Sequence, residues 1–335
     1  MNELHIETTR GPLTESVHRV SAVVVDAQGR RVAWGGSPDM VTFWRSSAKP
    51  FQASPLISDG VADSFGIGDE ELALICASHS SEPGHLELLD RLLERIGCTE
   101  DDLACGPHQP LSEKIARRVV RENVPVTPRW SNCSGNHAGM LALARYHGWP
   151  LAGYNEAPHP VQRRLLEEIA RWTGTAVDDV VLGVDGCTTV CYGLPLPAMA
   201  LAYARLAKAD DEAGRRIHRA MTTYPRWVGG EGRPCTDIMA AARGSVLVKI
   251  GAEGVYGACL VGEGLGIALK VEDGGMRSAP IALIEVLRQL ADRGLAGSVR
   301  EWLGAVERHA GIPVRDTRGA VIGELRPAGA LRFSA

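Results

Sequence analysis

The chain lacks the runs that mark several large classes of protein. Its Lys and Arg residues form no basic patch and no aromatic series accompanies them, so no nucleic-acid partner is expected. No apolar run reaches the roughly 18 residues that a membrane span needs. The opening Met1-Asn2-Glu3-Leu4-His5 has neither the positive head nor the apolar core of a signal peptide. The expectation is a cytoplasmic protein with no membrane partner. Internal repeats, low-complexity segments and a clear linker are also missing. No paired C-x₂-C occurs, and in a reducing compartment the 8 cysteines read as thiols, ligands or packing residues rather than disulfides.

What is present is ordinary for a globular chain: 335 residues, 45% apolar, 23% charged, with a net charge of −4. The length implies a single domain over 1–335 or two intimately joined subdomains. The 38 glycines suit tight turns and backbone-lined sites better than a helical bundle.

The β-branched runs Val20 to Asp26 and Arg31 to Trp34 flank a turn and predict a hairpin. Helical patterns follow from Lys49 to about Ser58, Gly84 to Ile96, Leu111 to Glu122, Met140 to Tyr146 and Pro158 to Thr173. Leu201 to Met221 is helical in two pieces broken near Ala209, and Trp227 to Asp237 reads as an irregular glycine-rich loop. Ser245 to Ile250, Val255 to Val261 and Leu265 to Val271 predict an antiparallel meander. Helices over Ile281 to Asp292 and Ser298 to His309 precede a last hairpin from Val314 to Leu325. This order predicts an α/β or α+β body, a mixed sheet with helices whose strands come from both chain ends.

Chemistry concentrates in Arg45-Ser46-Ser47-Ala48-Lys49-Pro50. On a helix, i, i+3 spacing puts Lys49 on the face of the Ser46 hydroxyl, where a desolvated amine can take the serine proton. The bland reading is a capping serine and a surface lysine. Ser78 follows in a polar turn, and Lys249 ends the apolar run Val246-Leu247-Val248. Ser-x-x-Lys, then Ser, then Lys-x-Gly is loosely the order of penicillin-binding and β-lactamase sites. Cys133, Cys187 and Cys235 lie in polar, glycine-containing stretches and are candidate metal ligands, although their spacing makes no recognised zinc motif. Cys76, Cys98 and Cys259 read as core filler. His79 and His137 are candidates for substrate contact, against a plain hydrogen-bonded loop histidine. Asp185 would orient an amine or merely cap a turn, and Arg45 would fork onto a carboxylate or simply face solvent.

Five stretches in order, Arg45 to Pro50, Cys76 to Glu82, Ser131 to His137, Asp185-Gly186-Cys187 and Gly230 to Thr236, resemble the asparaginase II family, the Rhizobium etli-type L-asparaginases. The resemblance implies a fold similar to serine β-lactamases and glutaminases, and a homodimer. It implies two Ser–Lys pairs, Ser46 with Lys49 and Ser78 with Lys249. It also implies a zinc site mapping to Cys133, Asn136 and Cys187 with Asp185 beside it, and no organic cofactor. Asn136 stands where the better-known members have a lysine ligand, and an amide oxygen is a poorer zinc donor. The expected function is hydrolysis of L-asparagine to L-aspartate and ammonia through an acyl-enzyme. Ser46 is favoured to attack first, and Arg45, His137 and Asp185 grip the substrate. Rivals are a penicillin-binding, β-lactamase-like or glutaminase-like acyl-serine hydrolase, and a non-catalytic amino-acid-binding module.

Overall fold

The computed structural model describes residues 3–208 and 210–334, so the break expected near Ala209 lies outside the described residues. Two compact units each draw on separated pieces of chain.

The first unit takes Met1–Ser47, Leu194–Lys208 and Asp237–Ala335. Its core is a sheet whose main path runs Ile312–Arg315, Val321–Ala328, His5–Arg10, Leu13–Asp26, Leu265–Val271, Val255–Leu260, Val246–Gly251. Each neighbouring pair on this path is antiparallel. Strands from both chain ends meet in one sheet, as the order of elements implied. The long strand Leu13–Asp26 is the hub, pairing Val23 with Ala268 and Val24 with Ile267, and meeting Arg31–Gly35 on its other edge. The three meander strands are buried along their whole length. Such strands read as near-continuous apolar runs because both faces are covered. Two glycines allow the helix Leu196–Lys208 to lie against them. A Cβ at Gly266 would sit 2.0 Å from the Ala200 carbonyl oxygen, and one at Gly257 would sit 2.0 Å from the Tyr203 ring.

The second unit takes Ala48–Gly193 and Ala209–Thr236 and is largely helical. Its central helix, Ser134–His147, is buried from Ser134 to Ala144. The helix starts six residues before the expected Met140 because Cys133 already adopts a cap position and the small residues of its first turn fit against Asp69–Ile75. At Gly135 a Cβ would come within 2.4 Å of the Leu74 carbonyl oxygen. The stretch from Trp227 is less irregular than expected: only 229–233 lacks helix, between Pro225–Val228 and Pro234–Ala242. In the first unit, Gly297–Glu301 and Leu303–His309 form 3₁₀ turns in place of the expected helix. Among the described residues, no helix is long and apolar enough to cross a membrane.

Candidate active site

Lys49 opens the short helix Lys49–Gln52 and is 3% exposed. Its Nζ donates to the Ala77 carbonyl at 2.5 Å, to Cys133 Sγ at 3.1 Å and, at the longer reach of 3.5 Å, to Ser78 Oγ. An ammonium has three protons, so these contacts engage all of them within the second unit. Burial is the largest influence on this amine and favours the neutral form. The negative charge shared by the Cys133–Cys187 pair, and that of Asp185, outweighs it and holds Lys49 above its ordinary pKa. Resting Lys49 is therefore a cation.

Cys133 is the counter-ion. A hydrogen bond from the Cys187 thiol is the main cause that depresses its pKa, and the Lys49 ammonium adds to it against the opposing effect of burial. The same hydrogen bond, followed by burial, pushes the Cys187 thiol up. One thiolate, one thiol and one ammonium thus meet beside the Ser78 hydroxyl. All 8 cysteines are free, and Cys76, Cys98 and Cys259 are buried, as core residues should be.

Ser78 is fixed by its neighbours. Its amide donates to the Val228 carbonyl at 3.0 Å, and Ser80 Oγ donates to the Gly229 carbonyl at 2.7 Å. The Glu82 carboxylate accepts from the Glu231 amide at 2.6 Å and from the Arg226 guanidinium at 3.1 and 3.2 Å. Gly230 must be glycine here: its φ is 113°, and a Cβ would lie 2.8 Å from both Ser80 Oγ and Glu82 Oε1. On the other side, His79 Nδ1 accepts from the Ser81 amide at 3.2 Å, which leaves the proton on Nε2 to meet Ser134 Oγ at 2.9 Å. His79 is fully buried and stacks on His85. Burial, then the charge of His85 and Lys49, keeps its pKa well below the usual value. It is a neutral strut between the loops that carry Ser78 and Cys133.

Asp185-Gly186-Cys187-Thr188 is the turn between the antiparallel strands Val181–Val184 and Val190–Pro195. The Asp185 amide donates to the Thr189 carbonyl and the Thr188 amide to the Asp185 carbonyl, with Thr188 in the left-handed region at φ 79°. This turn explains how a half-buried Asp185 and Cys187 reach the Lys49 cluster from a distant part of the sequence. His137 lies in the first turns of the central helix, where Tyr154 Oη donates to its Nδ1 at 2.6 Å and accepts from the Ala104 amide at 2.9 Å. Burial, then Lys49, depresses His137 to about 3, so it is neutral.

The remaining expected site residues belong to the first unit. Arg45, at φ 52°, starts the 3₁₀ turn Arg45–Ala48 that holds a half-buried Ser46. A non-glycine residue in that conformation carries backbone strain of order 1–3 kcal/mol. Lys249 is 1% exposed, and its Nζ donates to the Ile250 carbonyl at 2.8 Å. A Cβ on Gly251 would lie 3.0 Å from the Trp44 carbonyl oxygen and 3.3 Å from the Ser47 amide, so the strand end after Lys249 backs onto the Ser46 turn. The contacts inside the units therefore join Lys49 to Ser78, and the strand end after Lys249 to the turn of Ser46.

A zinc ion here would need further donors beside the two cysteines. Cys133 and Cys187 are adjacent, but the third position offers only the Asn136 amide, whose Oδ1 is buried without a hydrogen-bond partner. Among the described residues, no three His, Cys, Asp or Glu side chains are placed to hold a metal ion. The cation facing Cys133 is the chain's own Lys49. These residues do not fit a zinc site, and no chemical step is routed through one.

Glu82 and Tyr154 were missed as site supports. Glu82 had one available signal, its place before Pro83 at a helix start, where a carboxylate suits the free amides. Tyr154 sits in a non-periodic loop that offers none.

No curated protein matches the chain in sequence. Among solved structures it is similar to Mglu in its native form, with 15% identity and a TM-score of 0.37, over 82% of this chain and 61% of that one. It is also similar to a LovD6 mutant of simvastatin synthase from Aspergillus terreus, with 12% identity and a TM-score of 0.39, over 86% of this chain and 90% of that one. The chain spans only 61% of the length of the first, and likenesses at these scores carry no argument about chemistry. The family profile described as L-asparaginase II, in contrast, matches residues 6–327. With nearly its whole length matched, the chain belongs to the L-asparaginase II family.

Proposed function

We propose that the protein is an amidohydrolase that converts L-asparagine to L-aspartate and ammonia through an acyl-serine intermediate. The observation that carries the reading is the position of Lys49 Nζ, in reach of both Ser78 Oγ and Cys133 Sγ. Lys49 first passes a proton to the Cys133 thiolate, which leaves a neutral amine beside a thiol. The amine then takes the Ser78 proton as Oγ attacks the side-chain amide carbon, so Lys49 returns to the ammonium form. That ammonium gives its proton to the departing nitrogen, which leaves as ammonia. Water, deprotonated by the same amine, releases aspartate and restores Ser78. This preference for Ser78 replaces the sequence-based lean to Ser46. Ser46, with Lys249 on the strand beside its turn, forms the second Ser–Lys set.

The substrate's α-carboxylate and α-amine fall to Arg45, Asp185 and His137 in this proposal. Neutral His137 donates rather than pairs ionically. In this proposal the protein acts as a homodimer, as the family resemblance implies, and works in the cytoplasm.

An ammonia-release assay on asparagine and glutamine tests the reading. Lys49→Met and Ser78→Ala each lower kcat by several orders of magnitude while leaving the circular dichroism spectrum unchanged. Near-wild-type ammonia release from both Lys49→Met and Lys249→Met rules out the mechanism. A covalent penicillin adduct without ammonia favours the β-lactamase-like alternative, and a thermal shift with asparagine but no turnover favours a binding module.

A further inference from the structure

We propose that the second unit carries another small-molecule site, for a free α-amino acid with an apolar side chain. It occupies the cavity between the helices Pro83–Arg95 and Glu113–Arg121 and the turn Pro128–Trp130. The cavity measures about 300 Å³. That is the small end of ligand cavities, which run to roughly 1,000 Å³, and it suits one amino acid better than a nucleotide or a lipid chain.

Its lining has the three chemistries such a ligand needs. Leu86, Val119, Val124 and Trp130 supply an apolar surface for the side chain. Arg118 and Arg129 supply guanidinium donors for the α-carboxylate, and Glu87 supplies an anion for the α-ammonium. Arg129 is only partly spent: Nη2 donates to Asp90 at 2.6 Å, but Nε is buried and has no hydrogen-bond partner. With cations and an anion on one rim, a zwitterion is favoured over a simple fatty acid or a simple amine.

The cavity backs onto the active-site loops. Ser81, which lines it, donates from Oγ to the Trp130 carbonyl at 2.8 Å. Ser81 is three residues beyond Ser78, and Trp130 three before Cys133. Occupancy therefore bears on both loops. Any effect on ammonia release rests on the amidohydrolase reading, whereas binding does not.

Calorimetry on the full chain with L-leucine and L-phenylalanine, repeated with L-aspartate present, tests the proposal. Both amino acids bind, and L-aspartate does not displace them. Isoamylamine lacks the carboxylate and 4-methylpentanoate lacks the ammonium; each binds about tenfold or more weakly, the loss expected for one charged contact. Arg118→Met and Glu87→Gln, both at the exposed rim, weaken L-leucine by a similar factor, and Val119→Trp fills the cavity and abolishes binding. Where Val119→Trp fails to fold, the two rim variants decide. The proposal is overturned by absence of binding, by displacement with L-aspartate, or by equal affinity for 4-methylpentanoate. Indifference to all three variants overturns it as well. So does a concentration-dependent dimer that Val119→Trp dissolves, since the occupant would then be a second copy.

Discussion

Lowering the pH from 7.5 to 5.5 should weaken the fold through His79, by an amount that can be worked out. The ring is wholly buried, accepts the Ser81 amide on Nδ1, and is held well below its ordinary pKa. In the unfolded chain it titrates near 6.5. A depressed histidine stabilises the native state fully above the unfolded pKa, because both states are then neutral. Below it, only the unfolded state gains a proton, and stability falls as the pH drops toward the native pKa. At pH 5.5 the unfolded ring is about ten-to-one protonated, which corresponds to a loss of about 1.4 kcal/mol from His79 alone. His85 and His137, also depressed, steepen the total. The measurement is a pair of urea titrations, at pH 7.5 and 5.5, on the wild type and on His79→Gln. Glutamine can still accept the Ser81 amide but does not titrate. His79→Gln is less stable at either pH because packing is lost, yet its loss between the two pH values is smaller than the wild type's by about 1.4 kcal/mol. Equal losses in the two proteins would mean that His79 is protonated in the folded state, and the assignment of a neutral strut would fail.

Glu82→Gln keeps the shape but removes the charge that accepts Arg226 and the Glu231 amide. It should lower ammonia release more than stability, and hydrogen exchange should report a loosened 226–231 segment. Gly135→Ala forces a Cβ against the Leu74 carbonyl at 2.4 Å. Overpacking of this kind costs about 1–3 kcal/mol, readable as a lower urea midpoint. Asn136→Lys should supply the missing third donor between Cys133 and Cys187. Elemental analysis after dialysis is then expected to show zinc in the variant and far less in the wild type, and equal metal content would refute the donor argument.

Much of the body was legible in the sequence because its strands and helices carry clean periodicities. Val246 to Val271 alternates apolar runs with glycine turns and forms the meander. The helix Pro83–Arg95 presents Leu86, Leu89 and Leu93 to the core. Less was legible where tertiary contact overrides local preference. Ser134-Gly135-Asn136-His137 looks like a loop by composition, yet it is helix because Gly135 lets Asp69–Ile75 approach. His5–Arg10 alternates weakly and is a strand because Leu13–Asp26 and Val321–Ala328 pair with it on both sides. Motifs pick out candidate site residues, but they do not say which hydrogen bonds each one makes. An i, i+3 rule places Lys49 beside Ser46 only on a regular helix. Here Arg45–Ala48 is a 3₁₀ turn, and the amine donates to the Ala77 carbonyl, Cys133 and Ser78.

The pairing of Leu13–Asp26 with Leu265–Val271 also sets a timetable for biogenesis. A ribosome delivers the hub strand early, but its partner on one edge emerges only after some 240 further residues have been made. During that interval the edge of Val20 to Val25 that will meet Leu265–Val271 is unpaired, and only its other edge has the hairpin strand Arg31–Gly35. The nascent chain thus carries an open, strongly β-forming edge for most of its synthesis. This is a natural client for a holding chaperone, and a reason for expression yields to fall when translation is slowed before residue 265.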